Sequence, residues 1–161
     1  MQFVYNDGGR TAAGFKGSTG DCVVRAIAIA TERPYREIYN LINGVARESP
    51  KQRITIVRGK PRIRLRSDAR LGVFKNDIRK TLARLGWIWT PTMRIGSGCK
   101  VHLCAEELPM GRLIVSVSKH LTAVIDGVIH DTHDPARDGT RCVYGYYQKE
   151  SARQCVAATK G

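Results

Sequence analysis

The chain lacks two features that would place it in or across a membrane. No apolar run approaches the length of about 18 residues that spans a bilayer. Residues 1–7 contain neither the basic n-region nor the apolar h-region of a secretory signal. We therefore predict a soluble, cytoplasmic protein with no membrane partner.

The number and spacing of the cysteines argue against two common roles, a disulfide framework and a zinc knuckle. Five cysteines are an odd number spread along a chain of 161 residues, which argues against a disulfide framework and favours reduced thiols. Cys99, His102 and Cys104 contain no Cys-x-x-Cys pair and no fourth ligand at zinc-knuckle spacing. The sequence predicts no zinc knuckle there and no cofactor.

Acidic residues are also few, and the charge is uneven. The chain has 14 Asp and Glu against 27 Lys and Arg, for a net charge of +13. Residues 45–70 supply +7 of this charge, with nine basic and two acidic side chains. Isoleucines that alternate with basic or polar residues predict a β-ribbon with a turn near residues 59–61.

This basic insert is a candidate polyanion-binding segment. Dense Lys and Arg make an electrostatic surface for phosphates or for an acidic protein. A solvated loop that only maintains solubility is the alternative. Sequence-specific readout is not supported, because no RNA-binding aromatic motif or zinc finger accompanies the segment. The candidate contacts to nucleic acid or an acidic protein are Arg58, Lys60, Arg62, Arg64 and Arg66.

One cysteine stands at a position that suits a nucleophile. Gly20 permits a tight turn, Asp21 is a good N-cap, and an almost wholly apolar helix follows. Cys22 is then in the first helical turn, where free N–H groups and the helix dipole favour a thiolate. The alternative is that Cys22 is a small buried core residue.

A predicted β-hairpin carries the candidate base. Asp126-Gly127 is a strong two-residue turn signal and pairs Ile125 with Val128. Alternation then places four polar side chains on one face and points Asp134 the other way. Asp131 becomes a diagonal neighbour of His120, close enough to orient an imidazole. The residues that share the face are His120, Thr122, Asp131 and His133.

The same face offers a rival interpretation as a metal site. His120, His133 and Asp131 make a set of two histidines and one carboxylate. That interpretation leaves Cys22 without a role. We therefore predict no metal and assign Cys22, His120 and Asp131 as a catalytic triad.

The order Cys, His, Asp resembles that of the papain-like cysteine peptidases. Residues 19–26, Thr-Gly-Asp-Cys-Val-Val-Arg-Ala, resemble the Asp-Gly-Asn-Cys-Leu-Phe-Arg-Ala type motif of OTU deubiquitinases. The hairpin from His120 to Asp134-Pro135 is similar to that of bacteriocin-processing peptidases. Thr19 replaces an aspartate of the OTU motif, and Lys16 replaces the papain-type oxyanion-hole glutamine. The backbone N–H groups of Cys22 and Asp21 would form the oxyanion hole instead.

The resemblance implies a cysteine peptidase or isopeptidase-type hydrolase that acts on a protein or peptide. Two other classes stay open. One is a basic nucleic-acid-binding accessory protein, such as one of a mobile element, with an inactive peptidase-like core. The other is a hydrolase or transferase with a non-peptide acyl substrate.

Length and element order predict the architecture. A chain of this length and 42% hydrophobic content suffices for one domain, residues 1–161, with the basic insert at about 45–70. Residues 1–18 are predicted to be an arm or loop. Helices are expected from Pro34 to Gly44 and over about 73–85, and strands follow from Trp87 onward. The predicted fold is α+β, with a papain-like core in which the Cys22 helix packs on an antiparallel sheet.

Overall fold

The computed structural model describes residues 1–49, 53–64 and 66–150. This part of the chain contains three helices and eight strands. In that part no helix has the length and apolar character needed to cross a membrane. The elements are β1 (Gln2–Tyr5), α1 (Cys22–Thr31), α2 (Tyr35–Glu48), β2 (Arg53–Val57), β3 (Lys60–Arg64), α3 (Lys75–Arg84), β4 (Trp87–Pro91), β5 (Arg112–Val117), β6 (His120–Ile125), β7 (Val128–Asp131) and β8 (Val143–Lys149).

Six strands form one mixed sheet in the order β1-β7-β6-β5-β8-β4. The helices and this sheet agree with the predicted α+β class. The expectation of a purely antiparallel sheet is wrong, because β1 pairs parallel with β7. Residues 1–18 are likewise not only an arm or loop. The four residues of β1 are too few to show a clear alternation, so the sequence did not signal a strand.

Helix α1 packs on the sheet as its apolar sequence requires. Val24 and Ile27 are fully buried, in a cluster with Ile114 of β5 and Ala123 of β6. Because α1 is buried on almost every side, its sequence lacks the polar stripe of an ordinary surface helix. The first turn of α1 is therefore fixed against β6.

Helix α2 continues beyond its predicted end at Gly44. Val45 and Ala46 are buried and follow Ile42 by one helical turn, so the packed face continues. Residues 45–48 consequently belong to the helix and not to the basic insert. Helix α3 lies inside the predicted range, and Gly86, at a φ of 74°, leads into β4.

The predicted ribbon exists as a separate two-stranded sheet of β2 and β3. Its turn is at Arg58-Gly59, where both residues have positive φ, and Val57 pairs with Lys60. Ser67, beyond the ribbon, is buried and donates a hydrogen bond to Asp77 of α3. The insert is thus a ribbon between two segments that belong to the core.

A β-bulge shapes the sheet beside α1. The pairing of β5 with β8 shifts between Ser116 and Val117, so Tyr144 is the extra residue. Its neighbour Gly145 has a φ of 156°, and a Cβ there would lie 2.3 Å from the Trp89 ring. Only glycine allows Trp89 to lie across β8 at this point.

Two cysteines that we expected to be reduced form a disulfide, Cys99–Cys142. Backbone bonds from Leu103 to Arg141 and from Val143 to Val101, each 2.8 Å, align the two segments. The prediction of free thiols is wrong for this pair. The cysteines are 43 residues apart, and no strand pattern near Cys99 revealed the pairing. Cys22 and Cys104 are free, and Cys155 lies outside the described residues.

Candidate active site

The three predicted catalytic residues meet where α1, β6 and β7 converge. Cys22 begins α1, His120 begins β6 and Asp131 ends β7. His120 Nε2 lies 2.7 Å from Asp131 Oδ2, and the imidazole is close enough to the Cys22 thiol for each group to shift the pKa of the other. Since Nε2 is taken by Asp131, Nδ1 is the nitrogen left for sulfur. The three side chains therefore lie in the order thiol, imidazole and carboxylate.

The hairpin register that predicted this arrangement is confirmed. Ile125 pairs with Val128, and Ala123 pairs with His130. The His133 ring lies 4.8 Å from the His120 ring, centroid to centroid, on the predicted face. Asp134 Oδ1 instead accepts a bond from the Ala136 N–H. It therefore makes a local turn contact rather than one with His120.

The environment favours a thiolate at Cys22. Burial alone would raise the pKa of the thiol. Hydrogen bonds from His120 and from the Leu121 N–H, with the charges of His120 and Arg25, lower this pKa below its ordinary value of 9.0. The sulfur is partly exposed, so a substrate can reach it.

The pKa of His120 shifts upward, opposite to the shift of the Cys22 pKa. Burial would lower the pKa of the imidazole, but hydrogen bonds to Asp131 and Cys22 and the charges of both raise it to about 9. For Asp131, burial would raise the pKa of the carboxyl, yet His120 and the Thr132 N–H lower it. The three shifts thus all favour the charged forms: a thiolate, an imidazolium and a carboxylate.

Asp21 has a different role from the predicted helix cap. It occupies the N-cap position but makes no side-chain cap bond. Its side chain is 0% exposed and binds Arg25, the Tyr35 hydroxyl and Arg10, whose Nε is 3.0 Å from Oδ2. Charged and hydroxyl donors bind a carboxylate more strongly than a backbone amide does, so the side chain turns into the core.

Arg25 joins Asp21 to the catalytic carboxylate, a connection that the sequence did not predict. One nitrogen of its guanidinium binds Asp21, and the other lies 3.6 Å from Asp131 Oδ1. The feature of the sequence that could have indicated this contact is the lone charged residue of an apolar helix, which lies four positions after Asp21. Arg25 therefore fixes Asp131 on the side away from His120.

The two predicted oxyanion-hole donors differ in their access to a substrate, because Cys22 is partly exposed whereas Asp21 is only 1% exposed. Within residues 1–49, 53–64 and 66–150, the backbone N–H groups of Asp21 and Cys22 bond no other residue. The Gly20 N–H and the Thr19 hydroxyl both donate to the Arg70 carbonyl. Those two donors fix the turn before Cys22 and leave the next two N–H groups free.

Cys22 and His120 lie on a cleft of about 880 Å³. Part of its wall comes from segments that carried no recognisable motif: residues 71–79, β4 and β8. Gly145 allows Trp89 to approach, and the bulge places Tyr144 beside it. Lys16, at the position of the papain-type glutamine, is not among the lining residues. Contributors besides the catalytic pair include Leu71, Val73, Lys75, Arg79, Trp89, Lys119, His133 and Tyr144.

The rival metal set is also assembled. One ligand atom from each of His120, Asp131 and His133 lies within 4.8 Å of the others. Nε2 of His120, however, already binds Asp131, and His133 is exposed. A metal at this point would have to replace the hydrogen bond that orients His120.

Of the candidate polyanion-binding residues, Arg58, Lys60 and Arg66 do not line this cleft. Arg58, Lys60 and Arg66 are exposed. Arg62 and Arg64 occupy alternate positions of β3 with Lys60. The ribbon thus forms a second basic region apart from Cys22 and His120.

Comparisons with protein-family models, with curated proteins and with solved structures found no match to the chain.

Replacement of the buried Asp21 carboxylate should destabilise the fold. We expect Asp21→Asn to lower the free energy of unfolding by roughly 3–5 kcal/mol, because two buried guanidinium groups lose their shared anion. Glu37→Gln is the control, since its pair with Arg33 is half-exposed and should cost less than about 1 kcal/mol. Urea denaturation measures both, and equal losses would contradict the assignment.

Cys22 and Cys104 give an internal comparison of thiol reactivity. Burial and the nearby charges of Glu107 and Glu106 raise the pKa of Cys104. At pH 6–7 without reductant, iodoacetamide should alkylate Cys22 at least about tenfold faster than Cys104. Peptide mass mapping over time measures both rates. His120→Gln should remove most of the difference, and faster labelling of Cys104 would exclude an activated Cys22.

Proposed function

We propose that the protein is a cysteine peptidase or isopeptidase-type amide hydrolase with a papain-like core. The observation that carries this proposal is the position of Cys22 and His120 together on the cleft, with His120 hydrogen-bonded to Asp131 behind it. The chain order Cys, His, Asp and the position of the cysteine at a helix N-terminus support it. The mixed sheet with α1 packed on it is compatible with such a core.

The first half of the reaction forms an acyl-enzyme. The Cys22 thiolate attacks the substrate carbonyl, and the negative charge moves to the carbonyl oxygen. The unbonded N–H group of Cys22, which lines the cleft, stabilises that oxyanion, whereas Asp21 is too deeply buried to contribute its own. The carbon–nitrogen bond then breaks, and the His120 imidazolium gives its proton to the departing amine.

The second half regenerates the thiolate. Neutral His120 takes a proton from water, whose oxygen attacks the thioester carbon. The carbon–sulfur bond breaks and releases a carboxylic acid, while His120 returns to the imidazolium. An amine in place of water would make the protein an acyltransferase. Asp131 stays ionised throughout and holds the ring.

Hydrolysis should depend on Asp131 and not on Asp134. We expect Asp131→Asn to lower kcat/KM by about 10²–10⁴-fold, because the imidazole loses its orienting partner. Asp134→Asn, which alters only a turn contact, should change it by less than about twofold. Cleavage sites are found in a proteome-derived peptide library by mass spectrometry, and kinetics use a fluorogenic peptide of the cleaved sequence. Cys22→Ala controls for contaminating activity.

The pH profile gives a further readout of the same pair. The rate rises as Cys22 ionises, at a pH below 9.0, and falls near pH 9 as His120 loses its proton. Asp131 raises the pKa of His120, so Asp131→Asn should move the alkaline fall to lower pH. An unchanged alkaline limb would contradict the role given to Asp131.

The ribbon favours a second candidate function, binding of a polyanion. Its exposed Arg58 and Lys60 project from a separate hairpin, and Ile56 on β2 is 75% exposed. A nucleic acid or an acidic protein would be held here without any part in bond cleavage. An accessory protein with an inactive core would use the ribbon alone.

Neutralisation of the ribbon should separate the two functions. Serine at Arg58, Lys60, Arg62, Arg64 and Arg66 should weaken binding to a duplex oligonucleotide. The slope of log affinity against log salt should flatten by roughly 0.9 for each phosphate that the variant no longer neutralises. Fluorescence titration at several salt concentrations measures this, and Cys22 alkylation should persist. Unchanged binding would exclude the ribbon as the binding surface.

A further inference from the structure

The catalytic cleft carries positive charge from two separate elements. Lys75 and Arg79 lie one turn apart on α3, so they share a helix face, and both line the cleft. Lys119 lies in the turn between β5 and β6, directly before His120. All three are exposed, and in the described part of the chain none forms an ion pair.

No carboxylate among the described residues balances these cations at the cleft surface. Among the described residues, the lining contains no aspartate or glutamate. The nearest catalytic carboxylate, Asp131, is only 3% exposed and is bound to His120 and Arg25. A cleft with charge of one sign and low-dielectric walls focuses its field on an incoming ligand.

The rest of the cleft suits a peptide. Leu71 is 76% exposed at its edge, and Val73, Trp89 and Tyr144 add apolar and aromatic surface. Such surface binds the apolar parts of side chains, while the three cations would bind a carboxylate. A nucleic acid has the negative charge but offers no amide backbone for a thiolate to cleave.

We propose that the substrate is an acidic peptide, with an aspartate or glutamate side chain or a terminal carboxylate near the scissile amide. Lys75, Arg79 and Lys119 bind that carboxylate and so determine specificity. This inference rests on the proposed cysteine hydrolase function. It adds the charge of the substrate and the residues that recognise it.

The test compares two alkylating agents that differ in charge. Iodoacetate and iodoacetamide both transfer a carbon to the thiolate with loss of iodide, but only iodoacetate is an anion. We expect a higher ratio of iodoacetate to iodoacetamide rates at Cys22 than at glutathione. Replacement of Lys75, Arg79 and Lys119 by Gln together should lower the Cys22 ratio about tenfold. High salt should lower it as well.

A control variant removes the same charge elsewhere. Lys80, Arg94 and Lys149 are exposed and do not line the cleft. Their joint replacement by Gln should leave the ratio unchanged within about twofold. Lys80 is the sharpest single control because it follows Arg79 on α3.

The same variants are then tested on cleavage. Peptides that differ only by Glu or Gln next to the cleaved bond should favour Glu in the parent protein, and the cleft variant should lose that preference through a higher KM. If the cleft variant leaves the ratio of iodoacetate to iodoacetamide rates at Cys22 unchanged, the acidic-peptide inference is overturned while the hydrolase proposal stands. Failure of iodoacetamide to favour Cys22 over Cys104 would instead overturn the hydrolase function itself.

Discussion

The contact of Arg25 with two buried carboxylates organises the candidate active site. Its guanidinium lies between Asp21, which holds the turn before Cys22, and Asp131, which orients His120. Arg10 supplies the second positive charge, so two guanidinium groups balance two carboxylates in a nearly dry interior. One interaction thereby couples the N-terminal segment, the nucleophile helix and the base-bearing hairpin.

This arrangement separates structural charge from reactive charge. The Arg25 side chain is 10% exposed and the Asp131 side chain 3% exposed, so this pair lies mostly beneath the surface of the cleft. Cys22 and His120 line the cleft, and they are the groups to which the proposed mechanism assigns the proton and electron-pair movements. Because the buried layer is already neutral, the charge of the cleft is set by side chains at its surface. Reactivity and substrate charge can consequently be altered independently.

The sequence predicted the parts of the site that depend on local rules. The Asp126-Gly127 turn determined the register that brings His120 to Asp131, and the glycine-rich turn before an apolar helix located Cys22. No local rule predicts contacts between side chains that are far apart in the sequence. Contacts of Asp21 with Tyr35 and of Arg25 with Asp131 depend on tertiary packing. Gly44 likewise gave a false helix end, because packing of Val45 outweighed the cost of an interior glycine.

The disulfide Cys99–Cys142 and the free thiol of Cys22 need opposite redox conditions. An oxidant that maintains the cross-link also attacks an exposed, low-pKa thiolate, and a reductant that protects the thiolate opens the cross-link. The pair closes a segment of 43 residues, for which chain entropy alone gives roughly 4 kcal/mol of stabilisation. Cys142 immediately precedes β8, whose Tyr144 lines the cleft. Thiol added to keep Cys22 reduced therefore also removes the cross-link next to one wall of the cleft that Cys22 lines.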